Sequence, residues 1–362
     1  MKISIGMNLR EGPWGGGNQF ASSLTAYLGK KGADVVHDLA TNDLDIILLT
    51  EPRKTSRSSA YTDDDIMDYL RFVNPETLVV HRINECDERK GTKEVNGLLI
   101  RANRCADHTV FISTWLRDLF TGHGIPAAHA SVILNGADET VFNPEGFSPW
   151  NRREPLKIVT HHWGGNWMKG FDIYRLIDDM LEQPEWKKRL GFTYIGRTPE
   201  IFSFRNTRHI EPLSGKALAG ELRRHHLYVT ASRNEPAGMH HIEGAMCGMP
   251  LLYIDSGALP EYCRGFGVPF VPETFVAALE EMMGAYDSWL AEMPLYPHTA
   301  EKMCAAYHGL FLDMLERKKE ILARRPERQA PGLFETTAFR AASFGKRIRA
   351  LQKNVAKGKK RR

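Results

Sequence analysis

Short apolar runs alternate with helical patterns along most of the 362 residues. KISIGMN, from Lys2, reads as a strand. A glycine-rich loop and the helix-like QFASSLTAYLGKKG follow it. DIILL, TLVVHRI and HTVFIS read as further short buried strands, with a helical VNGLLIRANRCA between the last two. SVILNGAD closes this half near residue 140. The connector NPEGFSPWNRREP, which contains proline and tryptophan, separates it from a second alternation. There KIVTHHW, FTYIG, a short HIEPL, LYVTAS and PLLYID read as strands. YRLIDDMLEQP, KALAGELRRH and the segment after Gly238 read as helices between them. Short apolar strands alternating with helices predict parallel sheets flanked by helices. Two such sets predict an α/β chain of two doubly wound domains, residues 1–148 and 149–300, each long enough for its own core.

Beyond residue 268 the pattern turns helical. TFVAALEEMMGAYDSWLAEM and TAEKMCAAYHGLFLDMLERKKEILARR carry apolar residues at three- and four-residue spacing. Past Pro326 clear periodicity stops, although FRAASFGKRIRALQKNVAK has the makings of an amphipathic basic helix.

Composition changes this picture little, and charge changes it at one end. Hydrophobic residues make 42% of the chain and charged residues 25%, as in ordinary globular proteins. No positively charged apolar leader and no run of roughly 18 apolar residues is present, so neither secretion nor a membrane span is expected. The 5 cysteines are scattered without a CxxC pair, which favours reduced thiols over disulfides or a zinc site. The net charge of +4 is an uneven average. Residues 346–362 hold nine Lys or Arg and no acid, so the rest stands near −5 (4 minus 9). A basic end on a mildly acidic body does not describe a nucleic-acid-binding domain. Two readings of the end stay open: a solvated tail, or contact with anionic lipid headgroups.

Candidate chemistry lies where parallel sheets bind ligands, at the carboxyl ends of strands. Gly15, Gly16 and Gly17 follow the first strand. They make either a tight turn or a place where backbone meets a ligand at a helix start. The pattern GPWGGGNQF is not GxGxxG with a ribose-binding acid on the next strand, which argues against a nicotinamide site. In THHWGGNWMKGFD, Lys169 precedes a helix whose dipole already supplies positive charge. It is either a surface lysine or the holder of an anion such as phosphate. His161 and His162 are adjacent, so a strand points them to opposite faces, and they lack a spaced third ligand for a metal. NEPAGMHHIEGAMCGMP places Glu235 on a loop after a strand and Glu243 two turns into the next helix. The backbone N–H groups of Gly238, Met239 and His240 point outward at that helix start. The glutamates are either a cap and a surface charge, or a pair facing one polar ligand whose vicinal hydroxyls they accept.

The spacing Glu235 to Glu243 resembles the E-x7-E arrangement of retaining GT-B glycosyltransferases, family 4-like (glycosyl transferases group 1). NEPAGMHHIEGAMCGMPLLYIDSGALPE resembles that family's EGFGLVxLEAMAxGxPVVAxxxGGxxE. SVILNGADETVFNP resembles VIxNGVDxxxFxP, and ADHTVFISTWLRDLF resembles ADxVIxxSxxxxxxL. KGFDIYRLI resembles KGxDxLIxA, and LSGKALAGELRRHHLYVTAS resembles LSxxELxxLYxxADVxVxPS. The likeness runs in order from residue 1 to about 320.

The resemblance implies a GT-B fold of two Rossmann-like parallel-sheet domains facing a central cleft. Residues 1–148 would bind the acceptor and 149–300 the nucleotide sugar. Residues 301–325 would form a helix crossing back onto the first domain, and 326–362 a basic tail, disordered or amphipathic. It implies that Glu243 holds the ribose hydroxyls, Glu235 contacts the donor sugar, and Lys169 neutralises the diphosphate. Gly238, Met239, His240, Gly16 and Gly17 would line the donor site. Three departures stand out. HHWGGNW lacks the family's arginine, so His162, Asn166 or Arg197 is expected to substitute. LVVHRINECDERKG shifts the family's acceptor-side histidine, leaving Arg82, Asn84 and Asp87 as acceptor-binding candidates. Pro236 replaces a glycine after Glu235.

The expected activity is that of a retaining, hexosyltransferase-like enzyme of EC 2.4. It would move a sugar from a UDP- or GDP-sugar to a glycan or lipid-linked acceptor in polysaccharide biosynthesis, with no metal or other cofactor. The expected location is cytoplasmic, with peripheral contact at the inner membrane face through residues 346–362 and no nucleic-acid partner. The alternatives are a non-catalytic GT-B nucleotide-sugar-binding subunit and a GT-B nucleotide-sugar 2-epimerase.

Overall fold

The computed structural model describes residues 1–10, 12, 15–326, 335 and 339. The first domain contains β1 (Lys2–Ile5), β2 (Asp34–Val36), β3 (Ile46–Leu49), β4 (Leu78–Ile83), β5 (His108–Phe111) and β6 (Ala130–Val132). They form one sheet in the order β2-β1-β3-β4-β5-β6, every pairing parallel. Helices α1 (Gly15–Lys30), α2 (Asp63–Phe72), α3 (Val95–Asn103) and α4 (Thr114–Gly122) connect the strands. All of β3 and β4 is buried, as expected where helices cover both faces of a parallel sheet.

The second domain repeats the plan with β7 (Leu156–His162), β8 (Leu190–Gly196), β9 (Arg208–Ile210), β10 (Leu227–Thr230), β11 (Leu251–Ile254) and β12 (Gly267–Phe270). Their order is β12-β11-β10-β7-β8-β9, again parallel throughout. Its helices are α5 (Phe171–Met180), α6 (Pro184–Arg189), α7 (Gly215–Leu222), α8 (Met239–Met246), α9 (Leu259–Cys263), α10 (Phe275–Gly284) and α11 (Tyr286–Glu292). Two helices, α12 (Ala300–Glu316) and α13 (Lys318–Ala323), complete the described chain. The architecture is the GT-B fold.

Both sheets reverse strand order beside their first strand, between β1 and β3 and between β7 and β10. A doubly wound sheet opens a crevice at such a switch point. The loops after β1, β7 and β10 therefore converge between the domains.

Helix α12 returns to the first domain. Tyr307 packs 5.1 Å from the Phe20 ring, and Met303, Cys304 and Phe311 share a core with Ile3, Ile5 and Leu24. The crossing is pinned at Ala137, whose N–H donates to the His298 carbonyl at 3.1 Å and whose carbonyl accepts from Ala300 at 2.8 Å. A Cβ on Gly136 would sit 2.0 Å from the Thr299 carbonyl oxygen, so only glycine admits this approach.

Some expectations needed correction. The helical pattern over 274–293 breaks at Ala285 into α10 and α11, and that over 299–325 breaks at Arg317. Strands β2 and β12, three and four residues long, escaped the pattern reading. The basic tail, including residues 346–362, lies outside the described residues apart from Glu335 and Phe339. All five cysteines are free and buried. Among the described residues, no helix is long and apolar enough to cross a membrane.

Candidate active site

A cavity of about 310 Å³ lies between the two domains. Its second-domain wall begins with the loop from Asn234 to Gly238. Asn234 and Ala237 adopt positive φ angles of 49° and 151°. Such strain persists only where the surroundings hold it. Here Asn234 N–H donates to Ser256 Oγ at 2.9 Å, and the Glu235 carbonyl accepts from Ala258 at 2.8 Å. The loop thus turns Glu235 inward, where its side chain is 1% exposed.

Glu235 meets two cations from different domains. Lys169 Nζ lies 2.5 Å from Oε2, and Arg89 Nε lies 3.4 Å from Oε1. Lys169 ends a single helical turn, Trp167–Lys169, capped by Asn166, whose side-chain oxygen accepts from Met168 N–H at 2.8 Å. Burial pulls the Lys169 amine down to about 8, against the pull of Glu235. Burial works to raise the Glu235 carboxyl, yet the charges of Lys169 and Arg89 outweigh it and hold it near 2. Glu235 in turn raises the Arg89 guanidinium. At neutral pH all three are charged.

Glu243, 3% exposed, projects from the second turn of α8. Its Oε2 lies 2.7 Å from His161 Nε2, and His161 Nδ1 lies 3.1 Å from the Tyr228 hydroxyl. Its Oε1 is buried with no hydrogen-bond partner. A carboxylate oxygen without a partner, on a residue that lines a cavity, is a candidate acceptor for ligand hydroxyls. His162 points the other way along β7 and pairs with the Tyr174 hydroxyl at 2.8 Å. His240 Nε2 pairs with Thr230 Oγ1 at 2.8 Å. Burial holds both rings far below the ordinary histidine pKa, so both are neutral.

The first-domain wall carries Gly15–Gly17, Arg82, Asn84, Arg89 and Lys90. Gly16 faces Met239 across the cleft, where an added Cβ would come within 2.7 Å of Met239 Cγ. Around the cavity four cations, Arg82, Arg89, Lys90 and Lys169, face two carboxylates, Glu235 and Glu243. The excess positive charge suits an anionic ligand.

The sequence-expected residues Glu235, Lys169, Glu243, Gly238, Met239, His240, Gly16, Gly17, His162, Asn166, Arg82 and Asn84 all line this one cavity. Arg197 and Asp87 do not. Arg197 is exposed and stacks over the ring of Trp163, which lines the cavity, at 4.6 Å. Asp87 is occupied at the start of α3, accepting from Val95 N–H at 3.0 Å, Asn96 N–H at 2.9 Å and the Thr92 hydroxyl at 2.5 Å.

Arg89 and His161 were missed as site residues. No local pattern marks Arg89, which reaches Glu235 across 146 positions of sequence. His161 had a signal: the alternation along KIVTHHW puts it on the face opposite His162. No group of three or more His, Cys, Asp or Glu among the described residues is arranged to hold a metal ion.

No family model matches the chain, and no curated protein matches it in sequence. Solved structures do match in shape. A glycosyltransferase from Rickettsia africae ESF-5 has a TM-score of 0.61 at 12% identity, covering 90% of this chain and 99% of its own. Anabaena HepE in complex with UDP and glucose has a TM-score of 0.58 at 14% identity, covering 90% and 100%. The sucrose-phosphate synthase of Thermosynechococcus elongatus has a TM-score of 0.56 at 12% identity, also covering 90% and 100%. At such identities the likeness establishes the GT-B fold.

Proposed function

We propose that this protein transfers a sugar from a nucleotide diphosphate donor to a glycan or lipid-linked acceptor, with retention of configuration. One observation carries the reading most. Glu243, one of whose carboxylate oxygens has no partner in the protein, lines the same cavity as the Lys169–Glu235–Arg89 cluster. A nucleotide sugar presents complementary groups: vicinal ribose hydroxyls, a diphosphate and a sugar. The similarity in fold to Anabaena HepE, solved with UDP and glucose, supports the same reading.

In this reading Glu243, oriented by His161, accepts hydrogen bonds from the ribose hydroxyls. Lys169 and Arg89 hold the diphosphate and stabilise the charge it gains as the glycosidic bond breaks. The departing phosphate oxygen takes the acceptor proton during attack on the same face. Glu235 positions the two cations and meets the donor sugar. Catalysis is then positioning plus charge stabilisation, as for other phosphate leaving groups. No metal is needed where two side-chain cations and the amino end of α8 supply positive charge.

The family's arginine before Lys169 is absent here, which is the best ground for a non-catalytic subunit. Arg89 weakens that ground, because it delivers a guanidinium to the same carboxylate from the facing domain. Docking of residues 346–362 on anionic membrane belongs to the same proposal. Co-sedimentation with anionic liposomes should fall to background when the chain is ended near residue 340.

The test of the proposed function is Lys169→Ala. Turnover, read as nucleotide release from the best donor of a nucleotide-sugar panel, should fall about a hundredfold or more. The circular dichroism spectrum should stay unchanged. Wild-type turnover in the folded variant would refute the phosphate role.

A further inference from the structure

Arg82 poses a problem that donor binding leaves unsolved. It leaves β4 near the carboxyl end and is 2% exposed. One nitrogen, Nη2, donates to Asn135 Oδ1 at 2.9 Å, and the guanidinium lies 3.8 Å from the Phe20 ring centre. Nε and Nη1 make no hydrogen bond of good geometry, and what they meet is the uncharged Tyr307 hydroxyl. No carboxylate among the described residues pairs with it; the Tyr307 and Tyr262 hydroxyls lie nearby, and burial keeps both phenols neutral. Burial pulls its own pKa down, yet a guanidinium keeps its charge. A buried charge without a counter-ion is costly, and a fold retains one where a ligand completes it.

The surroundings point to where that ligand sits. Arg82 lines the cavity on the first-domain side together with Asn84 and Gly15–Gly17. The other first-domain cations are already matched: Arg89 and Lys90 face Glu235 and Glu85. Helix α1 is 16 residues long and has no acidic residue in its first turn, so its amino end adds positive potential. Among the described residues, none beyond its chain neighbours and its own helix backbone comes within 4 Å of where a Gly15 Cβ would stand.

We propose that the acceptor itself carries an anionic group, a phosphate or a carboxylate, seated on Arg82 and Asn84 in the field of the amino end of α1. This rests on the donor reading above, which assigns the Lys169 side of the cavity to the nucleotide sugar. It narrows the acceptor class from any glycan to a charged one, such as a sugar phosphate or a uronic acid.

The experiment is thermal unfolding of full-length protein titrated with inorganic phosphate, acetate or glucose, with and without saturating UDP. Bound ligands raise the midpoint by mass action. Phosphate or acetate should raise the midpoint of UDP-loaded wild type, and glucose should not. The better of the two anions identifies the group. The response should vanish in Arg82→Gln and persist in part in Arg82→Lys. Asn84→Asp places a negative charge at the rim and should also abolish it, which keeps the test alive if Arg82→Gln fails to fold. Transfer to glucose 6-phosphate or glucuronate should exceed transfer to glucose by about tenfold or more. An unchanged midpoint with both anions, or an equal anion response in wild type and Arg82→Gln, overturns the proposal. Absence of any UDP effect would count against the donor reading instead, since the difference between wild type and Arg82→Gln is still read without UDP.

Discussion

The two walls of the cavity handle charge in opposite ways. On the second-domain side, each charged group has at least one charged or polar partner within the protein, and only Glu243 Oε1 is left without one. Glu235 is held by Lys169 and, from across the cleft, Arg89, and Glu243 is anchored by a chain through His161 to Tyr228. On the first-domain side, Arg82 carries two nitrogens without a hydrogen-bond partner, and no carboxylate among the described residues pairs with it. The difference teaches a division of labour. A wall that binds the same donor in every turnover benefits from prearranged charge, because no reorganisation is then needed when the leaving group develops charge. A wall that leaves its charge open relies on the second substrate to complete it.

Breaking the donor wall should cost most. Beyond Lys169→Ala, Glu243→Ala removes the proposed ribose acceptor and takes from His161 its carboxylate partner. UDP affinity should fall about 10- to 100-fold by calorimetry, as expected for hydrogen bonds to a charged group. Equal affinity would show that the open oxygen serves no ligand.

Arg89→Ala tests whether the facing domain contributes to the donor wall. Its kcat should drop by about tenfold or more, while the affinity for UDP changes less, because Lys169 still pairs with Glu235. A loss confined to KM would place Arg89 outside the leaving-group step.

The pH dependence sharpens the same contrast. Lys169 loses its proton as pH rises through about 8, so donor affinity should weaken above that value. Between about 8 and the ordinary lysine range, the unfolded chain binds this proton and the folded one does not. Lys169 therefore adds stability with rising pH over the window in which it loses function. Glu235 has the same sign at lower pH: its folded pKa near 2 lies below the ordinary carboxylate value, so the stability it adds is complete above that value and is lost as pH falls toward 2. Thermal midpoints and donor titrations across pH 6–10 should diverge for wild type, and Lys169→Met should flatten the donor titration.

A smaller effect should follow from Gly16→Ala. The new methyl would meet Met239 at 2.7 Å, and a methionine side chain can yield. Turnover should fall a few-fold and recover in the double variant with Met239→Ala.

Much of the cavity's second-domain wall was legible because it is written locally. Glu235, the glycine at 238 and Glu243 occupy one strand–loop–helix passage, and the end of the preceding strand can be found from hydrophobic pattern alone. The crossover helix followed from the family resemblance, and the ring contact between Phe20 and Tyr307 now shows it. Arg89 was not legible, because its meaning comes from a contact between domains. Asp87 misled for a related reason: a carboxylate near the cleft looks the same in sequence whether it faces a ligand or caps a helix eight residues on. The breaks at Ala285 and Arg317 lie inside uninterrupted apolar periodicity, where tertiary packing overrides local preference. The edge strand β12 includes Pro269, which weakens its strand signal.

The most direct test is a crystal structure with UDP or the donor that binds best. The expected result places the ribose hydroxyls within hydrogen-bond distance of Glu243 Oε1 and the diphosphate between Lys169 and Arg89. A nucleotide bound away from these three residues, in a protein that still binds it with a stoichiometry of about one, would contradict the central claim.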